Sequence, residues 1–144
     1  MAANANSTID AMQLCNEGKS KVFTYVNSTK ILDTDHYVDL STQEVNTGQG
    51  VVQEEDDLGS WTGLGVDYGQ TKWVSEQLAR EAGRRGLRGS AVRPCYILVD
   101  SEIGVYNTDS FLIRRLRGCI QLGVRPRIIN TVNPVPVNHV VRRL

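Results

Sequence analysis

With 144 residues, 40% of them hydrophobic, the chain has enough material for one ordinary core and too little for two full domains. Basic and acidic residues balance at 16 each and no run of about 18 apolar residues occurs, which argues against a membrane-spanning helix. Cys15, Cys95 and Cys119 are odd in number, far apart and without a Cys-x-x-Cys or a clustered histidine, so the sequence supports neither a disulfide framework nor a zinc site. The N-terminus, Met1-Ala-Ala-Asn-Ala-Asn-Ser-Thr8, lacks a basic segment followed by an apolar one, and a cytoplasmic protein is expected.

In chain order, residues 7–17 read as a helix, with Ser7 or Thr8 as cap, Ile9, Met12 and Cys15 on one stripe and Gly18 as stop. Val22-Phe-Thr-Tyr-Val26 is β-branched and aromatic and reads as a strand, and the Ser28 and Thr29 hydroxyls emerge after its carboxyl end. Residues 33–65, acidic and glycine-rich around Glu54-Glu-Asp-Asp57, read as a long exposed loop. A helix over 67–82 follows, with Glu76 and Arg80 in the acid-first spacing and Gly83 and Gly86 as stops. Ser90-Ala-Val-Arg-Pro94 reads as a short buried strand. A helix over 109–122 is capped by Thr108 or Asp109, has Phe111, Leu112, Leu116, Cys119 and Ile120 as its apolar face, and ends at Gly123. Ile128 to Val137 is expected to be extended, with Asn138 as the cap of a further helix. Strand and helix alternate, which is the grammar of a parallel α/β sheet.

The neutral total conceals a segregation. Residues 1–79 hold four lysines against twelve acids, and residues 80–144 hold twelve arginines against four acids. Those arginines are spread over helices, a strand and loops without interleaved aromatic rings, so nucleic-acid binding is not expected. Attraction between the two halves, or a basic surface for an acidic partner, accounts for the asymmetry more simply.

Tyr68 and Lys72, four residues apart on the helix over 67–82, share one face. A phenol is a weak acid–base group near neutral pH, and an ammonium one turn away stabilises its phenolate. In an open parallel sheet, ligands lie beyond the carboxyl ends of the strands, so the hydroxyls at 28–29 and the start of this helix should face one crevice. Serine to bind a carbonyl oxygen, tyrosine to protonate it and lysine to support the tyrosine make a constellation for carbonyl reduction. No side chain donates hydride, so a nicotinamide cofactor is implied.

Ser28, Tyr68-Gly-Gln-Thr-Lys72 and Arg93-Pro94 resemble the extended short-chain dehydrogenase/reductases. The resemblance sharpens over Tyr68–Glu76, Arg80–Gly89, Asn107–Ile113, Gly118–Gly123 and Asn130–Asn133, which are similar to the C-terminal thioester reductase domain of fungal L-2-aminoadipate reductases from about Leu14 to Val141. It implies NADPH-dependent reduction of an aminoadipoyl thioester, held on a phosphopantetheine carrier domain, to the semialdehyde in lysine biosynthesis. By the same resemblance Ser28 polarises the carbonyl, with Thr29 as a poorer substitute, and Tyr68 delivers the proton. Lys72 binds the nicotinamide ribose, and Tyr68, Lys72, Arg93, Pro94 and Cys95 border the cofactor. Arg114, Arg115 and Arg117 are expected to help dock the acidic carrier.

Residues 1–144 thus read as a partial NAD(P)-binding, Rossmann-like domain. The glycine-rich strand-turn-helix unit that binds pyrophosphate should precede residue 1. Gly63-Leu-Gly65 does not replace it, since the third glycine of the fingerprint would fall at Tyr68. The chain also departs from the family at Cys95-Tyr-Ile-Leu-Val99, where bulk replaces a glycine and small residues, at Asn27 in place of serine, and at Asn138 in place of aspartate. Two expectations follow: the isolated chain is inactive or very weakly active, and its uncovered sheet favours self-association. Two other readings stand beside the thioester reductase. One is another extended reductase such as a sugar-nucleotide epimerase, against which segment 107–123 argues. The other is a degenerate, non-catalytic interaction module, which the bulk after Pro94 favours and the intact Tyr68/Lys72 pair disfavours.

Overall fold

The computed structural model describes residues 2–48, 52–53, 56, 58–127 and 132–144. They form two units, Met1–Arg93 and Pro94–Leu144. In the first, helix α1 (Ala2–Asn16) packs along helix α3 (Asp67–Arg84), and strands β1 (Phe23–Val26) and β2 (Gly89–Val92) pair in parallel. A parallel pair needs a crossover, and α3 lies in the connection between the two strands. The α/β class with a parallel sheet is therefore observed, in register from Phe23 opposite Gly89 to Val26 opposite Val92. That register depends on Gly89, because a Cβ there would stand 2.1 Å from the Phe23 carbonyl oxygen. The strand ends before Arg93-Pro94 and is exposed at Gly89, Ser90 and Ala91, shorter and less buried than expected.

Helix α1 begins at Ala2, so Ser7 and Thr8 lie inside it and cap nothing. Both hydroxyls donate back to the Asn4 carbonyl, at 3.0 and 2.9 Å. A hydroxyl satisfied by a carbonyl one turn back is tolerated within a helix, and the alanines before it extend the helix towards its start.

The largest correction concerns residues 33–65. They contain helix α2 (Asp35–Thr47) and a 3-10 turn (Gly59–Gly63), and they supply much of the core. Ile31, Tyr37 and Leu58 form the buried cluster, with Leu32, Leu40, Val52 and Trp73 against it. Asp56 organises the return of the chain. Its Oδ1 accepts from the Tyr37 hydroxyl and from the Leu58 amide, both at 2.7 Å, and its carbonyl accepts from Arg80 Nη1 at 2.6 Å. Burial alone would raise its carboxyl, but these hydrogen bonds from Tyr37 and Leu58, with the charges of His36 and Arg93, hold it below the ordinary value. Leu58 adopts φ 57°, a left-handed conformation that costs a branched residue on the order of 1–3 kcal/mol. Full burial of its side chain and the Trp73 Nε1 donation to its carbonyl, at 2.9 Å, offset that strain.

Helix α3 turns a polar stripe inward, with Gly69, Thr71, Ser75 and Glu76 buried. Glu76 is 0% exposed. Arg93 Nη2 donates to its Oε1 at 2.6 Å, Arg93 Nε approaches both oxygens at 3.1 Å, Arg80 Nε reaches Oε1 at 3.1 Å, and Asn27 Nδ2 reaches Oε2 at 2.5 Å. Burial opposes the charge on this carboxylate. Hydrogen bonds from Arg93 and Asn27 and the positive charges of Arg93 and Arg80 outweigh it and lower the carboxyl below its ordinary value.

The second unit pairs strands β3 (Tyr96–Ile97) and β4 (Pro134–Val135) in parallel, with helix α4 (Phe111–Leu122) between them in sequence and the short helix α5 (Val137–Val141) after them. The expected extended segment is observed at Pro134–Val135, while residues 128–131 lie outside the described ones. Helix α4 starts after Ser110, beyond Thr108 and Asp109, and ends as expected at Gly123 with φ 63°. Its expected apolar face is only partly covered: Phe111, Leu116 and Ile120 are exposed, Leu112 and Cys119 half-buried. Asn138 lies inside α5 and is not its cap. Its Oδ1 accepts from the Ser101 amide at 3.3 Å and hydroxyl at 3.2 Å, because Pro136, with its fixed φ, already starts the helix. Among the described residues no helix is long and apolar enough to cross a membrane, and no group of three or more His, Cys, Asp or Glu is arranged to hold a metal.

The contacts of Gly89 and Glu76 set two expectations for stability. Gly89→Ala forces β1 and β2 apart and should cost about 1–3 kcal/mol in urea unfolding, as overpacking does; an unchanged midpoint would contradict the register. Glu76→Gln removes one partner of a buried charge network and should cost about 3–5 kcal/mol near neutral pH. Because the folded-state carboxyl is lowered from 4.5, its contribution is complete above that pH and fades as pH falls through the lower folded value. The stability gap between wild type and variant should therefore shrink in acid, and a gap independent of pH would contradict the assignment.

Candidate active site

The site is assembled where the end of β1 meets the first turns of α3. After Val26 the chain passes through Asn27 to Ser28, whose extended backbone (φ −155°, ψ 146°) caps a 3-10 turn, Thr29–Leu32. Ser28 Oγ accepts from the Lys30 amide at 3.2 Å, which leaves its own proton to be donated to an acceptor. Thr29 opens the turn and is half-buried. On the other side, Tyr68 is the second residue of α3 and Lys72 lies one turn further. Gly69 brings the two parts together, since a Cβ at this position would lie 3.1 Å from the Lys30 carbonyl oxygen and 3.7 Å from Lys30 Cγ. A larger residue there would push the helix start away from the Ser28-capped turn.

Lys72 bridges the two elements. Its Nζ donates to the Val26 carbonyl at 3.1 Å and stands 5.1 Å from the Tyr25 ring centroid and 5.9 Å from that of Tyr68. The ammonium is thus fixed at the carboxyl end of β1, between the strand and the tyrosine. Tyr68 remains 48% exposed, so a reacting molecule can reach its phenol. A serine hydroxyl, a phenol and an ammonium at one strand end suit hydrogen bonding and proton delivery to a carbonyl oxygen. The Lys72 and Tyr68 donors also fit the hydroxyls of a nicotinamide ribose.

Of the residues singled out from sequence, the first unit holds Ser28, Tyr68, Lys72 and Arg93. The Arg93 guanidinium is occupied by Glu76. Pro94 and Cys95, both half-buried, open the second unit. Gly63 closes a 3-10 turn against the Thr34 side chain, which a Cβ would meet at 3.3 Å, and no strand precedes it among the described residues of that segment. This is a packing glycine rather than a phosphate-binding turn. Asn27 and Glu76, which the sequence does not single out for the site, lie beside it, and Glu76 continues the four-residue stripe of Tyr68 and Lys72, the signal that could have found it.

The whole chain, residues 1–144, matches the NAD-binding family described as Male sterility protein. The L-2-aminoadipate reductase large subunit of Penicillium chrysogenum is 56% identical over 141 residues, 97% of this chain and 10% of that protein. The L-2-aminoadipate reductase of Schizosaccharomyces pombe is 52% identical over 140 residues, 96% of this chain and 10% of that protein. The chain therefore spans about a tenth of the length of these curated relatives. Among solved structures, the terminal R domain from the myxalamid PKS-NRPS biosynthetic pathway is similar with a TM-score of 0.83 and 30% identity, covering 98% of this chain and 33% of that one. Two of these relatives are reductases by name, and the fold of the R domain agrees with the parallel α/β arrangement. With a family match along its full length, the chain belongs to the NAD-binding family described as Male sterility protein.

Proposed function

We propose that this chain forms part of an NADPH-dependent reductase that converts a carrier-bound acyl thioester, aminoadipoyl in the first instance, to the aldehyde in lysine biosynthesis. The observation that carries the reading is the placement of Lys72 between the Val26 carbonyl and the Tyr68 ring, beside the turn capped by Ser28. Conversion of a thioester to an aldehyde requires a hydride at the carbonyl carbon and a proton, and it releases a thiol. The nicotinamide cofactor supplies the hydride when bound. The protein residues do the rest. Ser28 donates a hydrogen bond to the carbonyl oxygen and orients it. Tyr68 delivers the proton, while Lys72, one turn away, holds the ribose. Arg93, Pro94 and Cys95 are assigned to the cofactor surroundings by resemblance. The preference for NADPH and the cytoplasmic location belong to the same proposal.

The partner in this reading is a phosphopantetheine carrier domain. Arg114, Arg115 and Arg117 are exposed on α4, which contains no acidic residue, and they suit an acidic carrier surface.

The test exploits the similarity to the Penicillium relative. Residues 1–144 replace the corresponding stretch of that reductase, and NADPH-dependent reduction of carrier-bound aminoadipate is followed. The chimera is expected to turn over, Tyr68→Phe to lose about 10²–10⁴-fold in kcat, and Lys72→Ala to raise the KM for NADPH as well. A folded chimera that binds NADPH but turns over at the same rate with and without the Tyr68→Phe substitution would remove the proton-delivery role. Reversal of the three α4 arginines to glutamate should raise KM for the carrier-bound substrate and leave KM for NADPH unchanged; equal carrier KM values would remove the docking role.

A further inference from the structure

Asn27 stands between β1 and Ser28, and its hydrogen bonds lead straight to the helix of the tyrosine and lysine. Its amide N donates to the Val92 carbonyl at 2.8 Å. Its side-chain Nδ2 donates to Glu76 Oε2 at 2.5 Å and approaches the Lys72 carbonyl at 3.4 Å. Arg93, adjacent to Val92, donates to both oxygens of the same carboxylate. The result is a closed circuit: Asn27 side chain, Glu76, Arg93, Val92, Asn27 backbone. It joins the residue before Ser28 to the turn of α3 that follows Lys72.

The circuit is rigid for electrostatic reasons. Asn27 is 5% exposed and Glu76 0%. The amide can present only its NH₂ to the carboxylate, because the reverse orientation sets oxygen against oxygen. That orientation leaves Asn27 Oδ1 buried without a hydrogen-bond partner among the described residues, a cost that packing alone does not require. We propose that Asn27 and Glu76 are a positioning pair that holds Ser28 in register with Lys72 and Tyr68, an inference that rests on the reductase reading for its catalytic meaning. Neither residue touches the substrate; they act through Ser28 and Lys72. A serine at 27 is one bond too short to make the Glu76 contact, so the device depends on asparagine at this position.

The purified chain, labelled for NMR, provides the test with Asn27→Ser and the near-isosteric Asn27→Leu. Two readouts are followed. The first is amide exchange at Lys30 and Ile31, which bond to Ser28 Oγ and the Ser28 carbonyl, against Leu64, which bonds to the Trp61 carbonyl. The second is the Tyr68 ring and Lys72 Nζ resonances. Both variants should speed exchange at Lys30 and Ile31 by about tenfold, the scale of one lost hydrogen bond, while Leu64 stays protected and the Tyr68 and Lys72 signals move. Uniform acceleration at all three amides, or unmoved Tyr68 and Lys72 signals, would overturn the pair as a positioning device. In the chimera, Asn27→Ser should lower kcat about tenfold, with KM for NADPH raised far less than by Lys72→Ala. If the unsubstituted chimera itself fails to reduce the thioester, the reductase reading falls, and the NMR result still decides the geometry.

Discussion

A carboxylate with no exposure to water is the constraint from which the first unit is best understood. A buried charge left alone would cost several kcal/mol, so Glu76 is tolerable only when Arg93, Arg80 and Asn27 converge on it. These partners come from the strand-end of β2, from the next turn of α3 and from the exit of β1. The fold must therefore bring all three segments together before the charge is compensated. Polar matching of this kind specifies one arrangement more sharply than apolar packing, because a displaced hydrophobic side chain loses a little while an unpaired buried carboxylate loses much.

Helix α3 serves several packing demands at different positions along its length. Gly69 permits a backbone approach to the turn after Ser28, Trp73 packs against the core formed by Ile31, Tyr37 and Leu58, and Arg80 reaches the carbonyl of Asp56. Tyr68 and Lys72 are thereby held on a helix anchored on both sides of the site. The α2 segment contributes to this without touching Tyr68 or Lys72 in any contact described above. Its role is to supply the core against which Trp73 sits, and so to fix the rotation of α3 about its axis.

The sequence revealed β1, α3, β2 and the Tyr68/Lys72 pair because each carries a local signal: β-branched and aromatic residues in the strand, four-residue spacing on the helix, glycine and proline at the ends. Residues 33–65 were opaque for an equally physical reason. Only Tyr37 and Leu40 of α2 face the core, Val38 and Val45 point to solvent, and the buried Leu58 stands alone among polar residues, so no periodicity accumulates. The Glu76–Arg80 pair is legible in the acid-first spacing and is observed, but its burial is not, because that spacing is the same whether the pair lies on a surface or beneath one. Spacing records which residues are neighbours on a helix; burial depends on what the rest of the chain lays over them. The α1 caps failed similarly, since a hydroxyl near a helix start can cap the next turn or bond back to the previous one, and the alanine-rich beginning decided for the latter.

In the proposed reductase the site separates groups that react from groups that hold. Tyr68, assigned there to meet the substrate, is half exposed and is not immobilised by burial. Lys72 is tethered by a single carbonyl and retains donors for a ligand. Order at such positions has to be imposed from beneath, by residues that never leave the protein interior. Asn27 and Glu76, both buried, lie in such a layer, one step along the chain from Ser28 and one helical turn from Lys72. Replacement of a layer like this leaves the chemistry intact in composition and displaces it in space, and displacements of an ångström are enough to reduce proton delivery severely. The identity of residue 27 therefore bears on the proposed reductase as directly as the tyrosine does: in that reading Tyr68 supplies the proton, and Asn27 keeps Ser28 in place beside it.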